Sequence, residues 1–316
     1  MSIKSMIQKK QCLALMGPTA SGKSQLSMDL AESFPIEIIS VDSALIYRGM
    51  DVGTAKPSLE EMEQVPHHLI NTHDASQSYS ASEFVEDVHD LVDAIFARGK
   101  LPVFVGGTMM YFNALQQGMS DLPSADEAVR AKLQALWESN PQALHERLLE
   151  VDPESAARIH PNDPQRLIRA LEVFEVSGKT LTEHRAKPKS ALSSFSLLKV
   201  ALIPEDRSRL HAQIAARFQT MLEHGFLQEV KALMARGDLS VDMTSIRSVG
   251  YRQAWLFLQG EYDYDTFVDK GVVATRQLAK RQLTWLRKES DLITLDPFKT
   301  SRQERLQHVS NLIESV

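Results

Sequence analysis

Eight consecutive residues, Gly17, Pro18, Thr19, Ala20, Ser21, Gly22, Lys23 and Ser24, fit the pattern G-x-x-x-x-G-K-[ST] at every fixed position. Glycines at both ends let successive backbone N–H groups turn toward an anion at a helix N-terminus. Lys23 then reaches phosphate oxygens, and the Ser24 hydroxyl helps to hold Mg²⁺. Further on, Asp42 follows an apolar run containing Ile36, Ile38 and Ile39. A carboxylate there serves as a proton acceptor, a water-bridged Mg²⁺ ligand or a helix cap, and the residues alone leave these three open. As a Walker B segment, "IEIISVD" is only a partial fit, because Glu37 and Ser40 interrupt it. The loop therefore identifies a phosphate without naming a reaction.

Other chemistry-bearing residues follow. Thr108, in "GGTMMYF", comes after two glycines that permit close backbone approach. It suits a hydrogen bond near a reacting group and equally an N-cap for the next helix. "TRQLAKRQLTWLRK" carries Arg276, Lys280, Arg281, Arg287 and Lys288 and no acid. On a helix Arg276 and Lys280 lie one turn apart, with Arg281 and Lys288 on an adjacent stripe, a spacing suited to a phosphate backbone or to an ordinary solvated face. Arg247 and Arg252 flank Gly250, with Tyr251 as a candidate stacking surface, and "PQRLIRA" adds Arg166 and Arg169. His67, His68 and His73 lack the spacing of a metal site. Trp137, Trp255 and Trp285 fall in helical apolar patterns and read as core. Cys12, on an apolar strand, reads as an inert core residue.

The elements that must position these residues are legible. "CLALMGPTASGKSQLSMDLAESF" reads as strand, loop and helix, "IEIISVD" as a second strand, "LPVFVGGTMMYFNAL" as a third followed by a helix, and "FSLLKVALIPEDRSRL" as a fourth. This alternation predicts an α/β fold with a parallel sheet covered by helices. From 116 to 194 the periodicity is helical throughout, as in "AVRAKLQALWESN", with Pro-Asx punctuation at "VDPES" and "HPNDP". We expect an all-helical lobe there, inserted into a P-loop NTPase-like core made of 1–115 and 195–316. After Asp206 the chain reads as mostly helical.

Composition bounds the partners. The chain has 316 residues, 43% hydrophobic and 24% charged, as in ordinary globular proteins. No apolar run reaches the ~18 residues of a membrane span, and the N-terminal stretch lacks a signal-peptide cleavage site. A single cysteine excludes an intramolecular disulfide and fits a cytoplasmic location. The net charge of −6 argues against a generally basic nucleic-acid binder and leaves a local basic face open. Nothing indicates an obligate dimer, so a monomer is expected.

With "SVDSALIYRGMDVGTAKP" after "GPTASGKS", the sequence resembles the bacterial tRNA dimethylallyltransferases. "VGGTMMYF", "HPNDPQRLIRALEV", "IRSVGYRQAW" and "ATRQLAKRQLTWLR" also resemble that family, in the family's order, across residues 13–287. Ser248 stands where some relatives carry cysteine, and the zinc-finger extension of eukaryotic relatives is absent.

The resemblance implies transfer of a dimethylallyl group from dimethylallyl diphosphate to N6 of the adenine 3′-adjacent to the anticodon, position 37. The substrates would be tRNAs reading codons that begin with U. It implies that the P-loop holds the donor's diphosphate with Mg²⁺, that Asp42 accepts the proton, that Thr108 lies by the transferring group, and that Arg217 grips the diphosphate. Contacts to the tRNA anticodon stem-loop are implied for Asp42, Ser43, Ala44 and Leu45, for Thr108 and Arg130, and for Arg166, Leu167, Ile168, Arg169 and Ala170. They are also implied for Arg247, Ser248, Val249, Gly250, Tyr251 and Arg252, and for Lys280, Arg281, Gln282, Leu283, Thr284, Trp285, Leu286 and Arg287. Two rivals keep the same loop: an ATP-dependent small-molecule kinase, and an RNA-binding nucleotide switch without group transfer, for which no N/T-K-x-D pattern is found.

Overall fold

The computed structural model describes residues 3–118, 122–185 and 194–315. Among the described residues six strands form one parallel sheet: β1 Gln11–Met16, β2 Ile36–Val41, β3 His67–His68, β4 Leu101–Gly106, β5 Ser196–Leu202 and β6 Leu292–Leu295. Their order across the sheet is β3-β2-β4-β1-β5-β6. The four strands expected from the sequence are its centre, β2-β4-β1-β5. The two edge strands were not foreseen. β3 is two residues long, and β6 interrupts the stretch read as helical, pairing Lys199–Leu202 with Leu292–Leu295. An edge strand of four residues has too few alternations to stand out from its helical neighbours.

The central strands are apolar because both faces are covered. Leu13, Leu15, Ile38, Val103 and Val200 pack with Leu26 and Leu30 of the helix Lys23–Ser33 and with Val309 and Ile313 of the C-terminal helix Arg302–Ser315. Of the two residues that broke the Walker B pattern, Glu37 has a local role. Glu37 is buried on β2 and accepts two hydrogen bonds from Arg98, at 2.9 and 2.6 Å, while His68 sits 2.7 Å away. Cys12 is fully buried, and burial pushes its thiol pKa up.

The chain divides into two compact units, 1–114 with 192–316, and 115–191. The expected far end of the helical lobe borders residues 186–193, which lie outside the described residues. Within the second unit the described residues of the helices Glu127–Ser139, Pro141–Val151 and Pro164–Ser177 bury Leu133, Leu144, Leu148, Leu167 and Leu171 together. Aspartates cap the first and third of these helices: Asp126 accepts the Val129 N–H and Asp163 the Arg166 N–H.

Candidate active site

Three neighbouring strands deliver the chemistry. β1 ends in the phosphate loop, β2 ends one residue before Asp42, and β4 ends in Gly106, two residues before Thr108. In a parallel sheet the carboxyl ends of adjacent strands open into one crevice, and these three loops do so. Their residues share a cavity of about 670 Å³ with Ile214, Arg217, Phe218 and Met221 of the helix Arg207–Glu223, and with Leu278, Arg281, Gln282 and Trp285 of the helix Tyr264–Leu286.

The phosphate loop has its expected shape. Gly22 stands at the N-terminus of the helix Lys23–Ser33 with φ 89°, a left-handed conformation that a side chain would strain. Ala20, with φ 61°, holds that conformation despite its side chain, and such local strain is common in loops built around ligands. The Lys23 ammonium donates to the Pro18 carbonyl at 2.7 Å. Desolvation, reinforced by the nearby Arg217 cation and opposed by Asp42, lowers its pKa to about 7. Burial also lowers the Arg217 pKa, with Asp42 again opposing. Two neighbouring cations with one carboxylate acting on both form a site that gains from a bound polyanion.

Asp42 is half-buried and accepts the Ala44 N–H through Oδ1 at 2.9 Å. Thr108 accepts the next residue's N–H, Ser43 N to Oγ1, at 3.1 Å. Asp42, Ser43, Ala44 and Leu45 therefore form a braced turn on the cavity wall. Beside it lie apolar groups, among them Tyr79, Val105, Met109 and Met110. The sequence reading missed this apolar half. Ile214, Phe218 and Met221, at i, i+4 and i+7 beside Arg217, give the pattern of a helix face turned inward, and that signal was available.

The expected RNA-contacting residues divide sharply. Lys280, Arg281, Thr284, Arg287, Arg247 and Arg252 are exposed, and Ser248 and Val249 partly so, with Arg247, Ser248, Val249, Gly250 and Arg281 lining the cavity. The helix ends at Leu286, so Arg287 and Lys288 lie beyond it rather than on its stripe. Leu283 and Leu286 are buried. Trp285 corrects the core assignment: it is 41% exposed and lines the cavity, whereas Trp255 is 5% exposed and part of the core. Tyr251 is corrected the other way. It is 1% exposed, packs edge-on against Phe226 and donates its hydroxyl to Glu229 at 2.5 Å, so it offers no free ring for stacking. Glu229 also accepts the N–H groups of Asp51, Val52 and Gly53, a bracing role that nothing in its sequence context signalled.

In the second unit Arg166 is exposed, while Leu167, Ile168 and Ala170 are core residues. Arg130 and Arg169 both bond the fully buried Glu172, at 3.1 and 2.8 Å, and the Asp126 N–H completes the set at 3.0 Å. Burial works to raise the Glu172 pKa, but the bonds from Arg169 and Arg130 outweigh it and hold the carboxyl below its usual range. The histidines set aside as metal ligands have other neighbours: His67 the Val65 carbonyl, His68 Glu37, and His73 the Thr72 hydroxyl.

The sequence model of the family described as IPP transferase matches residues 45–289. A protein of Hydrogenovibrio crunogenus described as tRNA dimethylallyltransferase is 63% identical, over 100% of this chain and 98% of its own length. A crystal structure of the full-length tRNA isopentenylpyrophosphate transferase of Bacillus halodurans is 37% identical with a TM-score of 0.71, covering 96% of each chain. A eukaryotic dimethylallyltransferase captured acting on tRNA is 30% identical with a TM-score of 0.81, covering 95% of this chain and 77% of that one. With a P-loop at β1, a braced carboxylate at β2 and these relatives along its whole length, the chain belongs to the IPP transferase family.

Proposed function

We propose that the protein transfers a dimethylallyl group from dimethylallyl diphosphate to N6 of adenine 37 in tRNAs reading codons that begin with U. The observation that carries this reading is one cavity lined by a phosphate loop with two crowded cations, a braced carboxylate and a set of apolar side chains. A kinase would share the phosphate loop, and the apolar set beside it suits the hydrocarbon of a prenyl donor. The 63% identical relative described as tRNA dimethylallyltransferase supports the same choice.

The adenine amine is a weak nucleophile, because its lone pair is delocalised into the ring. Its nitrogen forms a bond to the allylic carbon as the carbon–oxygen bond to diphosphate breaks, and the electron pair of that bond leaves with the diphosphate. Nitrogen then carries an excess proton, which passes to the Asp42 carboxylate. Lys23 and Arg217 face the charge that accumulates on the departing oxygens. The apolar wall around Met109 and Met110 receives the hydrocarbon and keeps water from competing for the allylic carbon. Thr108 holds the Asp42 turn in place through Ser43.

Mg²⁺ is proposed to accompany the donor, and the exposed Ser24 hydroxyl on the same cavity suits a hard cation that keeps water and phosphate as its other ligands. When bound it would neutralise charge on the diphosphate. The target base must leave the anticodon-loop stack to enter the cavity. The exposed cations Lys280, Arg281 and Arg287 are proposed to hold the RNA backbone. A tRNA substrate fits the expected cytoplasmic location, and a monomer suffices because one chain supplies every residue named. Among the described residues no helix is long and apolar enough to cross a membrane.

Single-turnover transfer of labelled dimethylallyl from its diphosphate to an anticodon stem-loop, with Mg²⁺ and no ATP, tests the reading. Label is expected on the RNA with adenine at position 37 and absent when guanine replaces it. Absence of label from both RNAs would overturn it.

A further inference from the structure

Gln282 lies between Arg281, which is exposed, and Leu283, which is buried, on the basic helix Tyr264–Leu286. Its position in a run of cations suggests a group facing RNA, yet it is 8% exposed and its amide points inward. The side-chain oxygen accepts the Thr19 N–H at 2.9 Å, inside the phosphate loop. The side-chain nitrogen donates to the Gly107 carbonyl at 2.9 Å, in the loop after β4. The orientation is set by chemistry, since a backbone N–H only donates and a carbonyl only accepts. A flipped amide would lose both bonds.

We propose that Gln282 is a positioning residue that fixes the diphosphate loop relative to the loop bearing Thr108. The chain of contacts is continuous. Thr19 is held by Gln282, Gln282 holds Gly107, the next residue Thr108 holds Ser43, and Ser43 adjoins Asp42. The leaving-group end and the proton-accepting end of the site are thereby tied to one amide. Glutamine supplies an acceptor and a donor on one planar amide at this reach, and its place on a long helix gives it a rigid base. The fit also explains Gly107, where a Cβ would stand 2.3 Å from the Gln282 nitrogen. It has a consequence for the phosphate loop as well: the Thr19 N–H is spent on Gln282, so that N–H serves the loop's shape and not anion binding.

The helix presents Lys280 and Arg281 outward and Gln282 inward, so one element carries both the surface proposed for RNA and the brace of the donor site. Loss of the brace should therefore affect donor and chemistry while sparing RNA. Reacting groups displaced by about 1 Å lose on the order of a hundredfold in rate, and each lost hydrogen bond costs roughly three- to tenfold in binding.

The rate readout rests on the prenyl-transfer reading; the binding readout does not. Wild type, Gln282→Ala, Gln282→Glu and Gly107→Ala are compared for inorganic pyrophosphate affinity in Mg²⁺, single-turnover transfer, and stem-loop affinity. In Gln282→Ala and Gly107→Ala, pyrophosphate affinity is expected to fall about tenfold and the transfer rate about ten- to a hundredfold, with stem-loop affinity within about twofold. Gln282→Glu should fall at least as far as Gln282→Ala in pyrophosphate affinity, because its buried carboxylate faces the Gly107 carbonyl and repels the anion. Pyrophosphate affinity within twofold of wild type in Gln282→Ala overturns the proposal, and so does an equal loss of stem-loop binding. If Gln282→Ala does not fold, Gln282→Met decides by the same criterion, because it keeps the length of the side chain and removes both amide bonds. Failure of the wild type to transfer would sink the reaction reading, and the pyrophosphate comparison would still decide the brace.

Discussion

The Thr108 hydroxyl accepts the Ser43 N–H at 3.1 Å, so the threonine after the double glycine braces the residue next to Asp42. Replacing Thr108 by alanine should leave the fold intact, because the Ser43 N–H it abandons is exposed and can turn to water. The Asp42 turn would loosen, and turnover is expected to fall about ten- to a hundredfold. Thr108→Ser keeps the hydroxyl and should recover most of the rate. Equal loss in both variants, measured by single-turnover transfer, would point to packing by the methyl group instead.

Asp42→Asn separates proton transfer from local structure. The asparagine oxygen still accepts the Ala44 N–H that now holds Asp42 Oδ1 at 2.9 Å, so the turn is retained. It cannot take up a proton at neutral pH, and turnover is expected to drop about a hundred- to ten-thousandfold. Stem-loop affinity should stay within a few-fold. Near-normal turnover would remove Asp42 as proton acceptor.

Lys280 and Arg281 are both exposed on the basic helix. Their double replacement by alanine should weaken stem-loop binding and reduce the slope of log affinity against log salt by about 1 to 2, as fewer phosphates are neutralised. Donor affinity should change little. An unchanged slope would move the RNA face elsewhere.

Local pattern and long-range contact set the limit of what could be read. The phosphate loop, the four central strands and the end-of-strand position of Asp42 are local, and a linear reading captured them. Gln282 and Glu229 act on loops 175 or more residues away, and no neighbouring residue marks them as different from solvated side chains. The tryptophans show the same limit. Trp255 and Trp285 sit in similar helical patterns, but the fold turns one to the core and the other to the cavity mouth. Arg130 illustrates it for charge, since its buried partner Glu172 lies 42 residues further on, whereas Arg169 meets the same carboxylate at i, i+3 on its own helix, a spacing that was legible.

Glu172→Gln tests that partner through pH. Its carboxyl is held below the ordinary value of 4.5, so it contributes stability above that pH and loses it as pH falls through the lowered folded value. Wild type should therefore exceed Glu172→Gln in unfolding free energy at pH 7. A gap of about 1–2 kcal/mol is expected, modest because both arginines are partly exposed. The gap should close on acidification below about 4.5, where the acid and the amide are nearly equivalent. Denaturant melts across that range provide the check, and a gap that widens toward acid would contradict the pairing.

The two tryptophans allow stability and recognition to be separated by one kind of substitution. Trp255→Ala removes a core side chain and should cost about 3–5 kcal/mol in denaturant unfolding. Trp285→Ala removes a ring already 41% exposed and should cost well under half of that. Its effect belongs on RNA. Trp285 shares the cavity rim with the exposed Met110, beside cationic Arg281, and an exposed indole there offers a face to an unstacked base. Stacking of one base on an aromatic ring is worth about 1–3 kcal/mol, so stem-loop affinity should fall about five- to a hundredfold. Trp285→Phe should restore most of it, since a smaller aromatic face still stacks. Wild-type RNA affinity in Trp285→Ala would show that the exposed ring merely closes the apolar wall of the cavity.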